Sequence, residues 1–295
     1  MSRALLFLVL AAAVCAAAGS VLNPTALTGS ASVYVGGEEI RIFRLDPKSG
    51  VLAAEDRVAV PASYMAADPS RRFVYVISGG AAPRVTAFSR DARTGRLTPI
   101  NDTIVPDVEG GTHISVHPSG KWLLAAHFGS SHVSVLAVRS DGGVGGRVDL
   151  QSPGMRAHQI VSDPTGRYVL VPCRDGNLVA QYRIDPATGK LTPNDPAVVH
   201  ASPGVGPRHM DFHPNGRFAY VINEQGGTIT SYRYDKAKGT LSAPEEVSTL
   251  PPEHPKNSTA HVLVHPSGRF VYGSNRGHDS IAIFTVARCR IGRTA

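Results

Sequence analysis

One five-residue turn returns five times along the chain, and each copy runs into an apolar strand. The copies are Asp68-Pro69-Ser70-Arg71-Arg72, His117-Pro118-Ser119-Gly120-Lys121, Asp163-Pro164-Thr165-Gly166-Arg167, His213-Pro214-Asn215-Gly216-Arg217 and His265-Pro266-Ser267-Gly268-Arg269. Their prolines, at positions 69, 118, 164, 214 and 266, lie 49, 46, 50 and 52 residues apart. A period of about 40–50 residues filled with short strands marks a β-propeller. The expected fold is therefore all-β, built from four-stranded antiparallel blades around one axis. Such a ring brings equivalent positions of every repeat together at its hub.

Within a unit the order is strand, turn, strand, hairpin, strand. In the fifth, Arg208 to Phe212 reads as the inner segment, Phe218 to Val221 as the second strand, and Thr228 to Tyr234 as the third, after a Gly226-Gly227 hairpin. A second turn also recurs: Asp46-Pro47-Lys48-Ser49-Gly50, Asp91-Ala92-Arg93-Thr94-Gly95, Asp185-Pro186-Ala187-Thr188-Gly189 and Asp235-Lys236-Ala237-Lys238-Gly239. Leu52, Leu97, Leu191 and Leu241 follow, opening the outer strands. In these turns Asp accepts from nearby backbone N–H groups, Pro presets φ and Gly takes positive φ.

The first 18 residues read as a signal peptide: Arg3, an apolar core from Ala4 to Val14, and the small residues Ala16-Ala17-Ala18 before Gly19. The expectation is export to a periplasmic or extracellular location, with no membrane attachment after cleavage. Cleavage removes Cys15 and leaves Cys173 and Cys289, too few for a disulfide framework. Cys173 is expected to be a buried, inert thiol. The net charge of +7 suits small anionic ligands. With no long basic run and a single Trp, a nucleic-acid partner is not expected. A monomer is expected.

The ends do not match whole units. Ser32 to Gly36 corresponds to a second strand with no inner strand before it. Ile281 to Val286 is a third strand, but the Asp-x-x-x-Gly turn that should follow is replaced by Ala287 to Ala295. Residues 32–286 are thus expected to form an incomplete propeller, and 287–295 an aberrant tail without an outer strand. The ring should be open by about one blade and its closing strand. A truncated or frame-shifted reading frame accounts for this, as does a natural shorter variant.

Three His-x-x-x-His pairs are present: His113/His117, His209/His213 and His261/His265. Each straddles a strand and a turn, and the second member occupies the place that Asp68 and Asp163 hold elsewhere. These second members are expected to be turn residues, with no metal and no other cofactor. Counting from each turn proline carries more. Six residues before it lie Ser63, Thr112, His158, Arg208 and Ala260; ten after it lie Gly79, Phe128, Arg174, Glu224 and Arg276. His158 and Arg208 share one position in adjacent blades, and Glu224 and Arg276 share another. Converging at one mouth of the axis, these four make an anion-binding pocket with an acid/base pair. The same spacing is equally consistent with structural ion pairs between blades.

The surrounding text resembles the lactonase seven-bladed propeller family, which includes propeller-type 6-phosphogluconolactonases and the carboxy-cis,cis-muconate cyclase. The matching stretches are Ala157-His158-Gln159, Gly206 to Pro214, Val221-Ile222-Asn223-Glu224 and Ser274 to Ile281. The resemblance covers about residues 32–286 and implies a seven-bladed plan with about one blade missing. It implies a lactonase that hydrolyses the ring ester of a small anionic sugar lactone, with His158, Arg208, Glu224 and Arg276 as catalytic residues. Cyclase-type lactonisation at the same site, and a non-catalytic exported binding propeller, are the alternatives.

Overall fold

We describe residues 31–251, 253–254, 258–287 and 290–293 of a computed structural model of the chain. The signal segment lies outside the described residues. The first sheet holds three antiparallel strands, β1 (Ala31–Val35), β2 (Ile40–Leu45) and β3 (Leu52–Val58). The second holds β4 (Tyr64–Ala67), β5 (Phe73–Ile77), β6 (Arg84–Arg90) and β7 (Leu97–Ile104). The third holds β8 (Gly111–Val116), β9 (Trp122–His127), β10 (His132–Val138) and β11 (Val144–Gln151). The fourth holds β12 (Val161–Ser162), β13 (Tyr168–Cys173), β14 (Leu178–Ile184) and β15 (Leu191–His200). The fifth holds β16 (Pro207–Phe212), β17 (Phe218–Asn223), β18 (Thr228–Asp235) and β19 (Thr240–Ser248). The sixth holds β20 (Ser258–Val264), β21 (Phe270–Arg276), β22 (Ser280–Ala287) and β23 (Arg290–Arg293). Each sheet is a meander, and no helix occurs among the described residues. This is an all-β propeller of antiparallel blades, with six blades described.

The last strand departs from expectation. Residues 287–295 were expected to lack an outer strand, yet Ala287 ends β22 and β23 pairs with it, Phe284 opposite Arg293 and Ala287 opposite Arg290. The physical reason is visible in β3, an outer strand with six of its seven side chains exposed: main-chain hydrogen bonds recruit such a strand and apolar periodicity does not mark it.

The second strands are the reverse case. Every residue of β9 is buried because both faces are covered. Trp122, Leu124 and Ala126 pack towards the fourth sheet, whereas Leu123 and Ala125 pack towards the second. The five apolar clusters each join consecutive sheets, from the first and second to the fifth and sixth. Each fully buried Val, Leu or Ile here contributes about 1.5–3 kcal/mol.

The two recurrent turns fix blade-to-blade spacing. In the first turn the fourth residue bonds back to the first, as in Gly216 N–H to His213 O at 2.8 Å. The first side chain then caps the turn. Asp163 Oδ1 accepts from Arg167 and Tyr168 N–H, both at 3.0 Å. His213 Nδ1 accepts from Asn215 N–H at 3.1 Å, which leaves the proton on Nε2 to donate to Gly268 O at 2.9 Å in the next blade. His117 likewise reaches Gly166 O at 2.8 Å. His117 and His213 are thus turn residues that also stitch neighbouring blades, and His265 is a turn residue whose Nδ1 bonds within its own turn to Ser267. In the second turn, Gly239 has φ 70°, and a methyl there would overlap the Tyr168 ring, whose hydroxyl donates to Ala237 O at 2.6 Å. Only glycine satisfies both demands.

Candidate active site

The inner strands carry the site, and a backbone irregularity aims it. In the fifth blade Pro207 pairs with Asn223 and His209 with Ile222, so Arg208 is an extra residue, a bulge. The third and sixth blades have matching register shifts, at Gly111/His113 and Thr259/Val262. A bulge re-aims side chains and bends the strand. Adjacent residues such as Arg208 and His209 are thereby both buried towards the hub. Glu224 is set just past β17, with its N–H bonded to Gly206 O at 2.7 Å. Arg276 ends β21.

The structure brings His158, Arg208, Glu224 and Arg276 together. Glu224 is the meeting point. Its Oε2 accepts from Arg208 Nε at 2.9 Å and lies 3.8 Å from His158 Nε2. Its Oε1 lies 3.3 Å from Arg276 Nη2 and accepts from Arg174 Nη1 at 3.1 Å. Three guanidiniums thus share one carboxylate. Arg208 is almost wholly buried, and its Nη1 also donates to Ala260 O. Arg276 is more open and is braced by Ser258 O at 3.1 Å, Ser258 Oγ at 2.7 Å and Thr259 O at 3.0 Å.

Electrostatics follow from this packing. Burial, then the charge of Arg276, lowers the Arg208 pKa to about 10 against the pull of Glu224, so Arg208 remains a cation at neutral pH. Burial, reinforced by Arg208, holds His158 well below its ordinary value, so its imidazole is neutral and able to accept a proton. Its Nδ1 has no hydrogen-bond partner.

The offset of ten from the turn proline also reaches Phe128 and Arg174. Arg174 stands at the position of Glu224 and Arg276 and joins their cluster. Phe128, at the same position one blade earlier, meets His158 edge-on with ring centroids 5.3 Å apart. Arg156 was not found by the count. It ion-pairs Asp175 at 3.8 Å, and Asp175 also holds Arg174 at 2.7 Å.

Beneath the cluster lies a layer that sequence reasoning missed. The residues five before each turn proline are Tyr64, His113, Gln159, His209 and His261. The first histidines of the three pairs therefore meet one another rather than their own partners. His209 Nδ1 and His261 Nδ1 share a hydrogen bond at 2.8 Å, and His209 lies 5.6 Å from His113 and 5.1 Å from His158 between ring centroids. Burial lowers His261 to about 4 and holds His113 and His209 well below their ordinary value. The signal was present as a shared offset. Beyond this floor a cavity of about 320 Å³ opens, lined in part by Ser115, Val161, Asp211 and Leu263. Cys173 is a buried free thiol whose pKa burial pushes up to about 12.

These features describe a β-propeller in which three arginines and a histidine gather around one glutamate, and comparison with known proteins gives its family. Residues 25–290 match the family described as Lactonase, 7-bladed beta-propeller, and the chain belongs to that family. A 6-phosphogluconolactonase of Yersinia pseudotuberculosis is 30% identical over 268 residues, which is 87% of this chain and 77% of that protein. The structure of the Pseudomonas aeruginosa periplasmic gluconolactonase PpgL superposes with a TM-score of 0.82 at 27% identity, covering 90% of this chain and 82% of that one. A Bacteroides fragilis protein shares the fold with a TM-score of 0.84 at 24% identity, over 92% and 83% of the two chains.

Proposed function

We propose that the protein is an exported lactonase that hydrolyses the ring ester of a sugar lactone carrying an anionic group. The observation that carries this reading is the convergence of neutral His158 with Arg208, Arg276 and Glu224 at one mouth of the axis. Water adds to the lactone carbonyl carbon while His158 takes its proton. The guanidiniums of Arg208 and Arg276 stabilise the oxyanion that forms. As the carbonyl is restored, the bond to the ring oxygen breaks and protonated His158 returns the proton to it, leaving an open-chain hydroxy acid. Glu224 holds the guanidiniums in register. The signal-like first 18 residues support export, as does likeness to a gluconolactonase called periplasmic.

The test is turnover of 6-phosphogluconolactone by the purified protein, measured above the spontaneous rate. Arg208→Ala should cut turnover about 10²-fold or more, the scale for losing one oxyanion donor. Retained turnover in a folded Arg208→Ala protein sinks the assignment. Running carboxy-muconate beside the lactone separates hydrolysis from cyclase chemistry.

A further inference from the structure

Arg156, Arg174 and Phe128 form a second, outer group on the rim of the cluster. Arg174 N–H donates to Arg156 O at 3.0 Å, which sets the two residues side by side. Both guanidiniums lie over the Phe128 ring, Arg174 at 4.6 Å and Arg156 at 4.9 Å from its centroid. Arg156 Nη1 is tied down by Phe128 O at 3.2 Å and Gly129 O at 3.3 Å. The aromatic face orders the two guanidiniums without neutralising them.

Charge is unbalanced here. Four guanidiniums, those of Arg156, Arg174, Arg208 and Arg276, are ion-paired to two carboxylates, those of Asp175 and Glu224. Asp175 is shared by Arg156 and Arg174; Glu224 is shared by Arg174, Arg208 and Arg276. The cluster keeps an excess of two positive charges, with His158 neutral. A phosphate monoester, at about −1.5 to −2 near pH 7, matches that excess, and guanidinium forks match its oxygens. The inner and outer guanidiniums differ in setting. Arg208 is 5% exposed, whereas Arg174 and Arg156 are 23% and 41% exposed, so a ligand reaches them from solvent by competing with Asp175 and Glu224 for their N–H groups.

We infer that Arg156 and Arg174, ordered on Phe128, form a phosphate subsite that selects a phosphorylated sugar lactone over its neutral counterpart. The inference rests on the lactonase reading for its catalytic consequence, not for the binding itself. In a six-membered 6-phosphorylated lactone the phosphate-bearing carbon hangs from the ring carbon bonded to the ring oxygen, with two atoms between it and the carbonyl carbon. A phosphate on the rim is thus within one sugar's width of Arg208 and His158. Arg174, which touches both Asp175 and Glu224, links the two halves.

The experiment compares kcat/KM on 6-phosphoglucono-δ-lactone and on glucono-δ-lactone for the wild type, Arg174→Gln and Arg156→Gln. Each variant should lose at least tenfold more on the phosphorylated lactone than on the neutral one. Equal losses on both, or an unchanged preference, overturn the subsite. Calorimetric binding of 6-phosphogluconate and of gluconate gives a second readout that needs no turnover. The wild type should bind the phosphorylated acid at least tenfold more tightly, and both variants should lose that margin. If neither lactone is turned over but the margin and its loss are seen, the lactonase reading fails and the subsite stands. If the wild type binds both acids equally, the subsite fails. Arg156, the more exposed of the two, guards against a folding defect in Arg174→Gln.

Discussion

Replacing Glu224 by Gln isolates the claim that one carboxylate organises the cluster. The substitution keeps shape and removes charge from a group lying 2.9 Å from Arg208, 3.1 Å from Arg174 and 3.3 Å from Arg276. The three partners should not weigh equally. Arg174 and Arg276 are partly open, and a solvated pair contributes about 0–1 kcal/mol. Arg208 is nearly sealed from water, and stranding a buried charge costs about 3–5 kcal/mol. The total is therefore set by Arg208. It corresponds to a fall in Tm of about 6–20 °C for a chain of this size. Urea or thermal unfolding by circular dichroism reads it. Arg208→Met removes the stranded charge, so the double variant should be more stable than the two single losses predict, by about 2 kcal/mol. Added inorganic phosphate should also stabilise Glu224→Gln more than the wild type. A loss under about 1 kcal/mol in Glu224→Gln, or strict additivity with Arg208→Met, refutes the reasoning.

Other predictions follow from the same geometry. His158→Gln should lower kcat on the lactone by about 10²–10⁴-fold, the range for a positioned general base, with the fold intact by circular dichroism. Gly239→Ala should destabilise by about 1–3 kcal/mol in urea unfolding, from positive φ and overlap with Tyr168. Acid should unfold the protein early. His113, His158, His209 and His261 are held neutral below their unfolded value of about 6.5. The unfolded chain then binds more protons, so their stability is intact above about pH 6.5 and is lost as pH falls. For His261, lowered to about 4, the loss is about 3 kcal/mol by pH 4. Asp211, raised to about 6 by burial, works the other way between pH 4 and 6, but as one group against four. Unfolding midpoints measured from pH 7.5 to 4.5 check this, and His261→Gln should flatten the profile.

Blade structure was legible because turns are chemically loud. Asp-Pro, His-Pro and Asp-x-x-x-Gly each mark a local backbone demand, and their spacing alone places strands such as β16 and β18. The offset of His158, Arg208, Glu224 and Arg276 from those prolines survived folding because a propeller repeats positions faithfully around its axis. Three things did not show. The outer strand β23 is built by main-chain pairing and leaves no apolar signature. The bulge at Arg208 lets two successive residues face the hub, and this breaks the alternation on which a strand reading depends. The meeting of His113, His209 and His261 joins equal offsets in different repeats, whereas the His-x-x-x-His spacing lies within one repeat and spans a strand and a turn. Arg174 shared the offset of Glu224, but its partnership with Asp175 and Glu224 is a tertiary fact.

The sharpest trial of the whole account is a crystal structure of the protein soaked with 6-phosphogluconate. The account predicts the carboxylate end against Arg208, Arg276 and His158, and the phosphate on Arg156 and Arg174. Product bound away from this mouth of the axis, or none bound at concentrations well above those that saturate turnover, would contradict it.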